Sequence, residues 1–186
     1  VGSALVLHPQ IKAVGFTGSK KAGRELFNLA ALRPEPIPVF GELSSANPVF
    51  LLPGALSERS TQIASGLHAS VTLGVGQFCT NPGVVVLEQG ENAEAFIVEL
   101  SGLMTKTPPG VMLNSSTRTS YCAGLKNLGD QTDVRVHVAG ECDPGLGNAH
   151  AGAGLFQSGV QTYLANPTLG EEIFGPATLL LTHASR

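Results

Sequence analysis

A cysteine in a glycine-rich turn is the side chain with the clearest capacity for covalent chemistry in this sequence. Cys79 lies between Gly76-Gln77-Phe78 and Thr80-Asn81-Pro82-Gly83, after a predicted helix and before a strand of β-branched residues. The flanking glycines allow another molecule to approach the turn closely, and an accessible cysteine thiolate is a nucleophile. A lone cysteine is often a small core residue instead, so its position alone leaves a catalytic and a structural role open.

Two glutamates in apolar sequence surroundings are candidates for acid–base or ligand-binding work. Glu42 stands in Phe40-Gly41-Glu42-Leu43, where burial would favour the protonated carboxyl and suit it to act as a general base near neutral pH. Glu172 precedes Phe174 and a Gly-Pro turn, and its carboxylate is able to accept hydrogen bonds from a sugar diol. Both patterns are also typical of solvated glutamates in turns.

A serine flanked by glycines begins the first long helical pattern. Gly18 and Gly23 have the spacing Gly-x-x-x-x-Gly around Ser19, directly after a predicted strand. Backbone N–H groups at such a helix start can bind a phosphate. This is not the G-x-G-x-x-G pattern, however, and the spacing alone mostly indicates a turn.

The other two cysteines are expected to take no part in this chemistry. Cys122 lies in a predicted helix, and Cys142 lies in a loop beside Asp143 and Pro144. Three widely spaced cysteines without a C-x-x-C pair are expected to form neither a disulfide framework nor a zinc site. Since no secretory signal pattern opens the chain, we predict a reducing, cytoplasmic location and no metal.

The elements predicted around these residues alternate between strands and helices. Strands are predicted at 11–16, 39–42, 48–52, 83–88 and 134–138, and helices at 20–32, 57–75, 92–105 with Asn92 as its N-cap, and 115–128. Three prolines between Arg33 and Pro38 end the first long helix and make an extended connector. The alternation predicts an α/β layered domain.

Composition and charge exclude some functions and suggest an assembled protein. The 186 residues carry a formal net charge of −3 and no basic run that could follow a phosphate backbone, so nucleic acid is not an expected partner. The apolar runs are far shorter than the roughly 20 residues of a membrane helix. Charged residues make up 13% of the chain, against about 25% in typical domains, which indicates surface covered by other protein.

Four separated motifs occur in the order found in the aldehyde dehydrogenase superfamily, and the sequence resembles that superfamily from about residue 11 to residue 181. The motifs are Phe16-Thr17-Gly18-Ser19, Glu42-Leu43, Gly76-Gln77-Phe78-Cys79 and Glu172-Ile173-Phe174-Gly175-Pro176. Four motifs in this order are far more specific than any one alone. Residues 33–40 and 78–83 resemble in particular the branch that oxidises 2-oxoglutarate semialdehyde, also called 2,5-dioxovalerate, with long-chain fatty aldehyde dehydrogenases nearby.

The resemblance implies a covalent oxidation of a small aldehyde with NAD or NADP. Cys79 would be the nucleophile that forms a thiohemiacetal, which expels hydride to the nicotinamide and leaves a thioester. Glu42 would be the base that activates water to hydrolyse the thioester. The backbone N–H of Cys79 would be one donor to the oxyanion.

Five further positions would hold the cofactor if the resemblance extends to its binding site. Glu172 would bind the hydroxyls of the nicotinamide ribose, and Phe174 would pack near the nicotinamide ring. The pyrophosphate would lie along the glycine-flanked turn formed by Gly18, Ser19 and Gly23.

The resemblance also implies a domain organisation. Residues 1–36 would be the last strand and helix of a Rossmann-like NAD(P)-binding domain, and residues 37–186 a three-layer catalytic domain that stops before the oligomerisation arm. Family members carry most of the dinucleotide fold and an oxyanion asparagine upstream of this region. We therefore expect a fragment that is inactive alone and a full-length protein that forms homo-oligomers. Ser44 and Ser45 stand where the family commonly has glycine.

Two other functions stay open at this point. Cys79 and Glu42 would also serve a thiol-dependent ester hydrolase that uses no nicotinamide. A non-catalytic assembly module would explain the low charge by subunit packing alone.

Overall fold

The structure is a computed structural model that describes residues 1–142, 145 and 148–184. The chain divides into two compact units, Val1–Ser45 and Ala46–Arg186. This division lies further along the chain than residue 36. The assignment of residues 1–36 and 37–186 to a cofactor-binding and a catalytic domain stays a prediction.

The first unit is a strand–helix–strand arrangement preceded by a short helix. Its elements are α1 (Gly2–Leu7), β1 (Val14–Gly18), α2 (Lys20–Ala31) and β2 (Val39–Leu43). The two strands are parallel and pair from Val14 with Val39 to Gly18 with Leu43. A buried arginine, Arg33, closes the unit by donating hydrogen bonds to the carbonyls of Val6 and Ile11 at 2.8 and 2.9 Å.

The second unit contains a five-stranded sheet and four helices among the described residues. Its elements are β3 (Val49–Leu51), α3 (Pro53–Thr72), a 3₁₀ turn (Leu73–Gly76), β4 (Val84–Glu88), α4 (Glu91–Thr105), β5 (Gly110–Val111), α5 (Ser115–Gly129), β6 (Arg135–Ala139), β7 (His150–Ala151), β8 (Gly154–Gly159), α6 (Val160–Ala165), a second 3₁₀ turn (Pro167–Gly170) and β9 (Ala177–His183). The sheet has the order β3-β4-β9-β8-β6, and β6 is its antiparallel strand.

Alternate residues of the central strands face two different cores, which makes the second unit a three-layer structure. Val85 and Leu87 of β4 pack in a core with α3 and α4, whereas Val84 packs in a core with α5. The same alternation in β9 places Leu180 in the first core and Leu181 in the second. Such burial on both faces is typical of parallel sheets covered by helices. The α/β class and the layering predicted from the sequence are confirmed.

Several element boundaries differ from the predicted ones. α4 begins at Glu91 with Gly90 at its N-cap, so Asn92 is not the cap. The sequence pattern missed α1 and α6, which are six residues long each. β6 contains a bulge between Val136 and Val138, and Val136 is 43% exposed, because the bulge interrupts the simple alternation of that strand.

Two of the three cysteines form a disulfide, so the expectation that the cysteines form no disulfide framework was wrong. Cys122 on α5 and Cys142 after β6 are joined, with their Cα atoms 6.0 Å apart. Arg118, one turn before Cys122, donates hydrogen bonds to the carbonyls of Cys142 and His150. The sequence shows a 20-residue separation but not that the chain returns to α5. Residues 143, 144, 146 and 147 of this predicted loop lie outside the described residues.

Candidate active site

Cys79 lies in a tight turn and is exposed. The backbone N–H of Asn81 donates to the carbonyl of Phe78 at 3.1 Å, which closes the turn over residues 78–81, here called the Cys79 turn. Cys79 occupies its second position, at the tip. The disulfide uses the other two cysteines, so the accessible thiol expected at position 79 is present.

Three consecutive left-handed residues precede the Cys79 turn. Gly74, Val75 and Gly76 have φ of 56°, 58° and 64°. This backbone is open to glycine but disfavoured for a β-branched residue, so Val75 is held against its own preference. The neighbouring Gln77 supplies part of the support, because its side chain donates to the carbonyl of Gly74 at 3.1 Å and accepts from the N–H of Leu113 at 2.8 Å. The helix pattern before Cys79 therefore ends in a strained reversal.

An asparagine before β3 holds the Cys79 turn from outside. The side-chain amide of Asn47 donates to the carbonyl of Cys79 at 2.6 Å and to that of Asn81 at 3.1 Å. Its own φ is 43°, a conformation that asparagine adopts more readily than most residues. Sequence reasoning did not identify Asn47. The one available signal was an asparagine directly before a proline and a predicted strand.

The loop of residues 171–176, here called the Glu172 loop, touches the Cys79 turn and the segment before it. The side-chain amide of Asn81 donates to the carbonyl of Gly175 at 2.9 Å. The backbones of Gly76 and Gly175 approach so closely that a Cβ at position 76 would overlap the Gly175 carbonyl. The structure thus brings the turn that carries Cys79 and the loop that carries Glu172 and Phe174 together.

The two candidate cofactor-binding side chains of the Glu172 loop both reach the surface of the described chain. Glu172 is exposed and Phe174 is 40% exposed, although neighbouring Gly175 is buried. Gly175 packs on the ring of Tyr121, where any side chain at 175 would overlap it. The Tyr121 hydroxyl donates to the carbonyl of Gly152 at 2.8 Å, and burial raises the pKa of this phenol, so it stays neutral. The packing of Gly175 on Tyr121 therefore holds the loop from below, while Glu172 and Phe174 remain exposed.

The remaining predicted residues gather at one end of the first unit. Gly18 is the last residue of β1, and Ser19 caps α2 by accepting the N–H of Ala22 at 3.3 Å. Gly23 is buried against Leu43, where a Cβ would overlap the leucine side chain. This gives Gly23 a packing role. The start of α2 remains suited to an anion, because it follows the carboxyl end of a parallel strand.

Glu42 lies at the same end of the first unit, on β2 opposite Thr17 of β1. Its side chain is exposed, so the apolar burial expected from its sequence neighbours was wrong for the described chain. The reason is that β2 belongs to a sheet of only two strands, so little of the protein covers its side chains. The nearby Ser44 has φ of 45°, and its hydroxyl accepts the N–H of Lys20 at 3.3 Å. A serine thus takes a left-handed position that favours glycine.

A groove of about 690 Å³ borders the Cys79 turn within the second unit. Its lining is mainly apolar and comes from β3 and the two residues before it, from α3, and from one residue in the Cys79 turn and one just after it. The lining residues are Asn47, Pro48, Val49, Leu51, Ile63, Gly66, Leu67, Ser70, Thr80 and Pro82. The volume lies in the range of small-molecule sites.

Two kinds of feature are absent from residues 1–142, 145 and 148–184. No three histidine, cysteine or acidic side chains are grouped so as to hold a metal ion. Every helix in these ranges is too short or too polar to cross a lipid bilayer.

Comparisons with known proteins agree with the resemblance found in the sequence. The family model for the aldehyde dehydrogenase family matches residues 1–184. Alpha-ketoglutaric semialdehyde dehydrogenase 2 of Azospirillum brasilense is 44% identical over 181 residues, and the alpha-ketoglutaric semialdehyde dehydrogenase of Acinetobacter baylyi is 38% identical over 182 residues. Each alignment covers 97% of this chain, and the chain spans 34% of the length of each relative.

A solved structure gives the same result for the fold. An NAD-dependent benzaldehyde dehydrogenase from Corynebacterium glutamicum superposes with a TM-score of 0.76 at 21% identity. The superposition covers 98% of this chain and 39% of that protein. At this identity the likeness establishes the fold. Together with the family match, it shows that the chain belongs to the aldehyde dehydrogenase family.

Proposed function

We propose that this chain carries the nucleophile and the hydrolytic base of an NAD(P)-dependent aldehyde dehydrogenase that oxidises 2-oxoglutarate semialdehyde to 2-oxoglutarate. One observation carries the proposal. An exposed cysteine lies at the tip of a turn, and Asn81 of the same turn donates a hydrogen bond to the loop that bears Glu172 and Phe174. The substrate follows from the names of the two relatives at 44% and 38% identity.

In the first half of the reaction, the Cys79 thiolate attacks the aldehyde carbon. A C–S bond forms, the carbonyl electron pair moves to oxygen, and the product is a thiohemiacetal oxyanion. The backbone N–H of Cys79 is the donor that this chain offers to that oxyanion. The oxyanion then re-forms the carbonyl as the C–H bond breaks, and the hydrogen leaves with its electron pair, so that Cys79 holds a thioester.

The chain's candidate cofactor residues fit a dinucleotide. NAD(P)⁺, when bound, supplies the acceptor for the departing hydride. Glu172 offers an exposed carboxylate to the ribose hydroxyls, and Phe174 offers an exposed ring face beside it. Gly18, Ser19 and buried Gly23 form the strand-to-helix turn at which a pyrophosphate would meet backbone N–H groups.

In the second half, Glu42 accepts a proton from water as the water oxygen attacks the thioester carbon. The C–S bond breaks, the acid leaves, and the thiolate of Cys79 is regenerated. The exposure of Glu42 at the end of β2 leaves its carboxylate accessible to water.

We further propose that the remaining length of the full-length protein completes the site. That length would supply most of the dinucleotide fold and a second oxyanion donor, and a single such donor is worth about 10²–10³ in rate. The isolated 186-residue chain is accordingly expected to be inactive. The 13% charged composition supports a homo-oligomer. A cytoplasmic location stays a prediction, and the Cys122–Cys142 disulfide is more typical of oxidising compartments.

The test is cofactor reduction by the full-length protein supplied with 2-oxoglutarate semialdehyde and either NAD⁺ or NADP⁺. We expect reduced nicotinamide and 2-oxoglutarate in equal amounts. No reduction with either cofactor would contradict the proposal.

A second assay separates the proposal from the two other functions considered. The 186-residue chain is given an activated ester without nicotinamide, and we expect no hydrolysis above that of a Cys79→Ser variant. Cys79-dependent hydrolysis would instead favour a thiol ester hydrolase. A Cys79 that resists thiol reagents in the full-length protein would favour an assembly module.

A further inference from the structure

We infer that Asn81 is a positioning residue that couples the Glu172 loop to the Cys79 turn. A change in the position of the loop would then reach the Cys79 turn through the side-chain amide of Asn81, in addition to the contact between Gly76 and Gly175. The inference rests on the proposed function, because it gives the contact a task in the reaction.

Asn81 is the residue on which the hydrogen bonds of the Cys79 turn converge. Its backbone N–H donates to Phe78 and closes the turn, and its backbone carbonyl accepts from the side chain of Asn47. Its side-chain amide leaves the turn and donates to Gly175, a residue 94 positions further along the chain. Since Asn81 lies two residues after Cys79, a displacement of the Asn81 side chain would shift the short turn that also carries the thiol.

The position of the Gly175 carbonyl depends on the position of the Glu172 loop. This carbonyl directly follows Phe174 and also accepts the N–H of Ala177 at 2.8 Å, at the start of β9. The carbonyl of the next residue, Pro176, accepts the N–H of Gly154 at 2.9 Å and ties the loop to β8. One end of the loop is therefore anchored in the sheet. A ligand that contacts Glu172 or Phe174 would therefore move the Gly175 carbonyl, to which Asn81 donates.

The amide of Asn81 has a defined orientation. Its side-chain oxygen is buried and has no hydrogen-bond partner among the described residues, whereas its nitrogen faces the Gly175 carbonyl. A carboxylate of the same shape would place two acceptors against each other and lose the donor. Asn81→Asp is thus a nearly isosteric substitution that removes the link.

The coupling is measurable in the 186-residue chain without any dehydrogenase activity. The rate of Cys79 alkylation by iodoacetamide is followed by mass spectrometry, with and without Ile173→Ala. Ile173 lies in the Glu172 loop and packs beside Gly124 of α5, so its truncation disturbs the loop without touching the Cys79 turn. Circular dichroism identifies variants that fail to fold, and Ile173→Val replaces Ile173→Ala in that event.

We expect the loop substitution to change the alkylation rate about 2- to 10-fold in the otherwise unaltered chain, the range set by one hydrogen bond. In an Asn81→Asp background the same substitution should change it less than half as much on a logarithmic scale. The matched control is Asn92→Asp, at an exposed asparagine on α4, which should keep the full response. Equal responses in all three backgrounds, or no response in the unaltered chain, would overturn the inference.

A kinetic readout in the full-length protein separates positioning from mere stabilisation. Asn81→Asp should raise the KM for NAD(P)⁺ about 2- to 10-fold and lower kcat, while the KM for the aldehyde changes less. Equal changes in both KM values would overturn the role in positioning. If the unaltered protein reduces no cofactor, the proposed function fails, and the alkylation experiment still decides whether Asn81 couples the two loops.

Discussion

The Cys79 turn and the strand that carries Glu42 are held in different ways. The turn is fixed by amide hydrogen bonds from Asn47 and Asn81, by the left-handed residues before it and by a glycine-to-glycine approach to the Glu172 loop. Glu42 projects from a two-stranded parallel sheet and is exposed. The second unit therefore holds Cys79, the proposed nucleophile, through contacts within that unit.

This difference has a chemical meaning under the proposed mechanism. A nucleophile that must meet the aldehyde carbon at one angle benefits from a preorganised backbone, because the oxyanion donor is that same backbone. A base that works through a water molecule tolerates a looser position and needs access to solvent. Substitutions at the two places should accordingly affect different steps.

The largest effect is expected from Cys79→Ser. Replacement of the sulfur nucleophile should lower kcat/KM of the full-length protein on the order of 10⁴-fold or more. The matched control is the double variant Cys122→Ser with Cys142→Ser, which removes the other two sulfurs as a pair. Steady-state cofactor reduction measures both. Residual activity within tenfold of the unaltered protein would show that Cys79 is not the nucleophile.

A smaller loss, in a different step, is expected from Glu42→Gln. Removal of the base should slow thioester hydrolysis about 10²- to 10⁴-fold and leave the first half of the reaction intact. Rapid mixing should then show a burst of cofactor reduction of one equivalent per site, followed by slow turnover. An equal slowing of burst and turnover would place Glu42 in the first half instead.

Stability should respond sharply to Gly76→Ala. The new Cβ would overlap the Gly175 carbonyl at a φ of 64°, which combines a steric and a conformational cost of about 4 kcal/mol in the free energy of unfolding. Gly102→Ala is the control, because the exposed Gly102 of α4 has open space around it and alanine favours a helix there. Urea unfolding should separate the two variants clearly. Similar midpoints would contradict the close contact between the two loops.

The smallest of these effects concerns the Cys122–Cys142 disulfide. The bond closes a loop across a 20-residue separation, and its loss should lower the free energy of unfolding by about 3 kcal/mol. Thermal unfolding of the chain with and without a reducing agent gives the measurement. The double cysteine-to-serine variant should unfold at the same temperature in both conditions. A reductant that shifts the unaltered chain and the variant equally would mean that the disulfide is not the cause.

Local pattern predicted the alternation of strands and helices, because periodicity and turn residues are local properties. It also predicted the accessible position of Cys79 from the glycines beside it. The hydrogen bonds that hold the turn join residues far apart along the chain. Asn47 and Cys79 are 32 residues apart, and Asn81 and Gly175 are 94 residues apart. No local pattern encodes such pairs.

The burial expected for Glu42 and the absence expected of a disulfide were wrong for a related reason. Apolar neighbours along the chain indicate burial only if another element covers the strand, and β2 is paired in a two-stranded sheet. Cysteine spacing likewise carries no information on whether the chain returns to α5. The four motifs in order compensated for this, since they identified the family that the comparisons then confirmed. The roles of the individual site residues stay predictions.

Covalent capture of the acyl group shows directly whether Cys79 is the nucleophile. Full-length protein with Glu42→Gln is mixed with 2-oxoglutarate semialdehyde and NAD(P)⁺, quenched in acid and digested for mass spectrometry. We expect a thioester-linked acyl group on the peptide that contains Cys79, in an amount equal to the burst of reduced cofactor. Reduced cofactor without an acyl group on that peptide, or an acyl group on another residue, would contradict it.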